Sequence, residues 1–235
     1  MKRLHRGLIV SCQAEQGSPF NATEFIVAFA KAAELGGAVA VRIRGIENVR
    51  AVRRAVRLPI IGLTKGTFPS GLVLVTPTQE EVEDLFEAGA DIVAVDATSR
   101  TRPSGLTGPD FLRNAKEETD GLFMADISNY DEALKAAQNG ADYIGTTLSG
   151  YTEATKVKPK EPDLDLIRQL ADSVRVPVIA EGRIWTPEQA REAIELGAHA
   201  VCVGTAITRP VEIVRRFSSL MSEELPSSGA THPDD

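Results

Sequence analysis

Four times along the chain, a helix-like stretch ends in a Gly-Ala or Gly-Gly turn that runs directly into a β-branched segment, and this recurrence narrows the available folds more than any other feature. The copies span Ala33–Arg42, Glu87–Asp96, Gln138–Thr147 and Glu195–Gly204. Their first glycines, Gly36, Gly89, Gly140 and Gly197, stand 53, 51 and 57 residues apart, a step too long for one strand-helix unit and suited to two. Four further apolar runs supply the intervening units, at Gly7–Cys12, Pro59–Lys65, Gly121–Ser128 and Pro177–Ile184, which brings the expected strands to eight. Helix starts keep the same phase: Asn21-x-x-Glu24, Thr78-x-x-Glu81, Ser128-x-x-Asp131 and Thr186-Pro-x-Gln189 each read as an N-cap after a strand and a loop.

Strands that are nearly continuous apolar runs, alternating with amphipathic helices, belong in a parallel sheet covered by helices, and eight of them can close on themselves. The expected fold class is therefore α/β, a single-domain (β/α)8 TIM barrel over residues 1–224, with the polar, Pro/Gly-bearing tail 225–235 expected to be disordered. An open doubly wound sheet is the alternative. Against it, no Gly-x-Gly-x-x-Gly follows any strand, and the echo of Leu58-Pro-Ile-Ile-Gly62 in Val176-Pro-Val-Ile-Ala-Glu-Gly182 suits a duplicated barrel.

Charge removes several partner classes. With 26 basic against 33 acidic residues the net charge is −7, so no field draws in nucleic acid or an anionic membrane, and a phosphate must be bound by local groups. No apolar run approaches the roughly 20 residues that cross a bilayer, and Gly7-Leu-Ile-Val10 is too short for the apolar region of a signal peptide. Cys12 and Cys202, the two cysteines, both fall in expected strands; the pattern fits a reducing compartment, and a cytoplasmic location is expected.

In such barrels the active site lies at the carboxyl ends of the strands, so polar residues that close the apolar runs are the candidates. These are Gln13, Arg42 with Arg44, Lys65, Asp96, Asp126, Thr146 with Thr147, Glu181 with Arg183, and Thr205 with Arg209. His5 precedes strand one, His199 opens strand eight at the opposite rim and His232 is in the tail, which argues against histidine catalysis and a histidine-rich metal site. A carboxylate Mg²⁺ site at Asp96 or Asp126 stays open as a minor alternative.

The turns after strands seven and eight, Glu181-Gly-Arg-Ile and Val203-Gly-Thr-Ala-Ile-Thr-Arg-Pro210, are built for an anion: Gly182 and Gly204 let backbone N–H groups approach, a short helix near Ala206 points inward, and Arg209 adds a charge. The competing reading is that both glycines merely turn the chain. Lys65 and Glu181 end strands three and seven, four apart in a ring of eight, and so face each other across the mouth. A planar enolate between them has a proton-transfer group on each face, as inversion at one carbon requires. That chemistry needs the lysine pKa to fall two or three units from about 10.4 and the glutamate to rise from about 4.3 toward 6 or 7. An ordinary salt bridge between the two is the competing reading. Arg42 and Asp126 either orient sugar hydroxyls or pair with one another, Asp96 reads as a helix cap or framework residue, Gln13 reads equally as a substrate hydrogen-bonder or a structural residue, and Thr147 is a candidate substrate contact.

These segments resemble the bacterial N-acetylmannosamine-6-phosphate 2-epimerases of sialic-acid breakdown. The resemblance runs through Gly7–Gln13, Pro59–Lys65, Val75–Thr78, Gly89–Thr98 and Arg102-Pro103, and is most specific at Ile144-Gly-Thr-Thr-Leu-Ser-Gly-Tyr-Thr152, Ile179-Ala-Glu-Gly-Arg183 and Val203–Pro210. It implies interconversion of N-acetylmannosamine 6-phosphate and N-acetylglucosamine 6-phosphate at carbon 2 without an organic cofactor. It also implies catalytic roles for Lys65 and Glu181, sugar binding by Gln13, Arg42 and Asp126, and phosphate binding through Gly182, Arg183, Gly204, Thr205 and Arg209, and it suggests a homodimer. The chain departs from the family pattern at Gly66–Gly71, which lacks acidic residues, and at Arg44. Two other functions remain open at this point: a Schiff-base aldolase or lyase using Lys65, and a non-catalytic sugar-phosphate sensor.

Overall fold

The computed structural model describes residues 2–68, 72–102, 104–156 and 161–223. The strands are β1 (Gly7–Cys12), β2 (Ala40–Arg44), β3 (Ile60–Leu63), β4 (Lys65–Thr67), β5 (Val73–Val75), β6 (Ile92–Asp96), β7 (Leu122–Asp126), β8 (Tyr143–Gly145), β9 (Val178–Glu181) and β10 (Ala200–Val203). The helices are α1 (Thr23–Leu35), α2 (Ile46–Ala55), α3 (Gln79–Glu87), α4 (Gly108–Glu118), α5 (Tyr130–Gln138), α6 (Leu164–Ser173), α7 (Pro187–Glu195), α8 (Thr205–Thr208) and α9 (Pro210–Glu223). Eight strands close into a parallel barrel in the ring order β1-β2-β3-β6-β7-β8-β9-β10, with β10 pairing back onto β1 through Gly7↔Ala200 and Val10↔Val203. The fold is the expected (β/α)8 barrel, and the tail 225–235 lies outside the described residues.

Side chains alternate between the two faces of each strand. One set, including Val10, Val41, Ile60, Val93 and Phe123, packs outward against the helices; the other, including Ile9, Ala40, Ile61, Ile92, Met124 and Ile179, fills the barrel. Leu4 joins the inner cluster from below, its backbone N–H donating to the Tyr143 hydroxyl at 3.0 Å.

Local signals held where they were complete. Thr78 and Thr186 form the expected capping boxes with Glu81 and Gln189, each satisfying two backbone donors that the helix leaves free. Two expected caps shift by one residue. Helix α1 starts after Ala22, with no side-chain cap, in place of Asn21. Helix α5 is capped by Asn129, which accepts from Glu132 N at 3.1 Å, while Ser128 donates to the Glu132 carboxylate at 2.7 Å. The third run also ends earlier than its sequence suggests: β3 stops at Leu63, and Lys65 opens an antiparallel hairpin in which it pairs with Val75.

Candidate active site

Following the inner face of the barrel toward its carboxyl end, apolar residues give way to charge after one alternation. Ala40 is succeeded by Arg42, Met124 by Asp126 and Ile179 by Glu181. Arg42 is 2% exposed, a guanidinium sealed in the barrel, and it forks onto Asp126 with contacts of 3.0 and 2.5 Å while also donating to Glu181 at 2.9 Å. Burial works against the charge of Arg42, yet the two carboxylates outweigh it and hold its pKa above the ordinary range. Asp126 is fully buried and additionally accepts from Thr147 Oγ1 at 2.7 Å. Glycine at 145 makes this packing possible, since a Cβ there would lie 2.3 Å from the Met124 methyl, 2.9 Å from Thr147 Oγ1 and 3.0 Å from the Asp126 carboxylate.

Above this layer opens a cavity of about 1000 Å³. Of the candidate residues, Gln13, Arg42, Lys65, Thr147, Glu181, Gly182, Arg183, Gly204, Thr205 and Arg209 all line it, and Asp126 lies beneath, reached through Arg42 and Thr147. Lys65 is exposed to the cavity and forms no ion pair among the described residues; Glu181, 13% exposed, takes Arg42 as its ionic partner. The anticipated Lys65–Glu181 salt bridge is therefore not what holds either group, and the Arg42–Asp126 pairing is realised. Partial burial lowers the Lys65 pKa from its ordinary value, helped by the positive charges of Arg42, Arg44 and Arg209 and opposed by Glu181. The Glu181 pKa is raised, first by burial, then by the Asp126 charge, against the opposing effects of Arg42 and of hydrogen bonds from Cys202 and Thr147. Each group is displaced toward its neutral form.

The turns after β9 and β10, expected from the sequence to hold an anion, combine three features. Gly182 adopts φ +112°, a left-handed conformation open to glycine, and Arg183 follows at φ +57°. The Arg183 guanidinium is engaged with the loop after β8, donating to the Ser149 carbonyl and, at 2.8 Å, to the Glu161 carbonyl, and lying over the Tyr151 ring. Gly204 leads into α8, and Arg209 Nε sits 3.8 Å from Glu15, a contact too long for a hydrogen bond. His199 lies at the opposite rim, its Nε2 3.1 Å from the Leu4 carbonyl oxygen, away from the cavity as expected.

A model of the family described as "Putative N-acetylmannosamine-6-phosphate epimerase" matches residues 26–223. The chain belongs to the N-acetylmannosamine-6-phosphate epimerase family. A Caldanaerobacter subterraneus relative named "Putative N-acetylmannosamine-6-phosphate 2-epimerase" is 52% identical over 224 residues, covering 95% of this chain and 94% of its own. A Yersinia pseudotuberculosis relative of the same name is 51% identical, covering 94% of this chain and 92% of its own. The solved N-acetylmannosamine-6-phosphate 2-epimerase from Clostridium perfringens superposes with a TM-score of 0.85 at 39% identity, covering 91% of this chain and 92% of its own.

The cavity wall also carries residues of this family member that strand ends alone did not reveal. Ser11 and Cys202 sit one alternation below Gln13 and Gly204, so counting back by two would have found them. Tyr151, Trp185 and Arg100 belong to loops, where the strand period gives no guide.

Proposed function

We propose that this chain interconverts N-acetylmannosamine 6-phosphate and N-acetylglucosamine 6-phosphate by moving the proton on carbon 2. The observation that carries the reading is that Lys65 and Glu181 enter one cavity from opposite sides of the ring, from the loop after β3 and the end of β9, each shifted toward neutrality. In one direction neutral Lys65 takes the proton from carbon 2 of the open-chain aldehyde. The electron pair passes into the enolate, and protonated Glu181 returns a proton to the other face. The reverse direction starts from ammonium and carboxylate. Both directions use the pair with one proton between them, so the shifts bring the two arrangements closer in free energy. With unperturbed groups, moving that proton from lysine to glutamate costs about 8 kcal/mol.

In this reading the phosphate is held at Gly182, Arg183, Gly204, Thr205 and Arg209, with Arg183 contributing through its backbone. Gln13, 7% exposed with its Oε1 unpaired among the described residues, takes a donor from the sugar, while Arg42, Asp126 and Thr147 fix Glu181 and the hydroxyls near it. Incubation of N-acetylmannosamine 6-phosphate with the protein in D2O, followed by proton NMR, is expected to show the glucosamine epimer and deuterium at carbon 2. Neither appearing would sink the proposal. Borohydride trapping of substrate on Lys65 would favour the imine route instead.

A homodimer is part of the same proposal. Helix α9 exposes Val214, Phe217, Leu220 and Met221, each more than half accessible, a stripe that a second copy would cover. Sedimentation should give a dimer that Phe217→Lys with Met221→Lys converts to monomer; a monomeric parent protein would refute it. Two buried free thiols and the absence, among the described residues, of any helix long and apolar enough to cross a membrane agree with work in the cytoplasm.

A further inference from the structure

The proton-transfer scheme leaves one cation of the cavity wall without a task. Arg100 lies in the loop four residues beyond the end of β6, lines the cavity, and is 22% exposed. Its position is constructed from buried parts. The Asp96 carboxylate, fully buried, accepts from Thr98 N at 3.1 Å, from Thr98 Oγ1 at 2.7 Å and from Arg100 Nη2, and Arg100 Nε donates to Thr98 Oγ1 at 3.0 Å. On the other side, Ser99 N donates at 2.9 Å to Glu132, a carboxylate 5% exposed. Among the described residues Arg100 Nη1 has no acceptor, so its two donors are left for a ligand.

Placement and charge say what part of a ligand. β6 stands diametrically opposite β10 in the ring and pairs directly with β3, the strand that leads to Lys65. With phosphate on carbon 6 held at the ends of β9 and β10, the other end of the open chain, carbons 1 and 2 and the acetamido group, points to the Arg100 side. Asp96 already neutralises the guanidinium, which suits it to a neutral carbonyl oxygen better than to a second anion. The other arginines around the cavity are engaged: Arg42 with two carboxylates, Arg183 with loop carbonyls, and Arg209 at the phosphate end.

Resting on the epimerase reading, we propose that Arg100 determines specificity by donating from Nη1 to the carbonyl oxygen of the substrate's acetamido group. The test is calorimetric titration of N-acetylglucosamine 6-phosphate and glucose 6-phosphate into the full chain and into Arg100→Ala. The Kd of the acetylated ligand should rise about tenfold or more, as for loss of a charge-assisted hydrogen bond, and that of glucose 6-phosphate less than about twofold. Equal losses would place Arg100 on a feature the two ligands share and overturn the assignment, as would no loss for either. Should Arg100→Ala fail to fold, Arg100→Lys keeps the charge beside Asp96 while losing the planar fork, and its Kd ratio is judged by the same criterion. Failure of the epimerase reading is separate, because it shows as parent protein that exchanges no deuterium into N-acetylmannosamine 6-phosphate.

Discussion

The lower and upper halves of the barrel interior are built on the same strands and the same face, one alternation apart, yet they obey opposite rules. Below, Ile9, Ile61, Ile92 and Ile179 are buried apolar side chains whose only task is to exclude water. Above, Arg42 and Asp126 are ionisable groups at comparable burial, joined by Glu181, whose side chain is 13% exposed. Removing two charges from water costs more than their attraction returns unless hydrogen bonds offset it; here Thr147 and the two-pronged contact of Arg42 supply those bonds, while Arg42 Nε has no partner among the described residues. The dry lower half is what makes the upper half electrostatically effective: burial is the first cause of the shift at Glu181.

The two halves separate most sharply when a group that the proposed mechanism uses for chemistry alone is removed. Lys65→Ala should lower the epimerisation rate by about 10²–10⁴-fold while leaving the melting temperature unmoved, because Lys65 is open to the cavity and has no ion pair among the described residues. Rates by NMR and thermal unfolding check the two halves of that expectation, and a variant that keeps its rate removes Lys65 from the mechanism. Arg42→Met should act on both counts. It strands Asp126 and Glu181 as neighbouring buried carboxylates, at a cost of about 3–5 kcal/mol in urea unfolding, with activity lost as well. A stability change below about 1 kcal/mol would show that the ionic layer is not holding the upper half together. In the lower half the prediction inverts. Ile92→Val should cost about 0.5–1.5 kcal/mol with kcat unchanged below the melting transition, and a large loss of kcat would mean that the two halves are not separable in this way.

The sequence made the barrel legible because its signal is repeated: a helix end, a glycine turn and an apolar strand, recurring with two units per step. The site is legible where it sits on or next to a barrel strand, since inward residues near a strand's end can be counted, and Gln13, Arg42 and Glu181 reach the cavity that way. Loops resisted. The apolar run puts Lys65 at a strand end, although it opens a hairpin whose partner, Val75, lies ten residues on. The Arg183 guanidinium donates to carbonyls at Ser149 and Glu161, contacts spanning 34 and 22 residues of chain that no local pattern encodes. Asp96 was read as framework, and it is framework, but for Arg100, a residue that lay beyond the last position the strand period could reach.

The smallest effect tests the electrostatic side of the contrast most directly. In the proposed mechanism the Lys65–Glu181 pair works with one proton between its members, so the rate should fall at low pH as Glu181 gains a second proton for the pair, and at high pH as Lys65 gives up the last one. A raised Glu181 pKa moves the acid limb above the ordinary carboxylate range, and a lowered Lys65 pKa moves the alkaline limb below the ordinary lysine range. Arg44 contributes to the second shift and is not among the groups that shift Glu181. Arg44→Ala removes a positive charge that disfavours the Lys65 ammonium, so the alkaline limb of kcat/KM should move to higher pH while the acid limb stays in place. Because Arg44 is exposed, added salt should shrink the difference between parent and variant. An alkaline limb that stays put or moves to lower pH would mean that Lys65 does not govern it, and the assignment of the base would have to be made again.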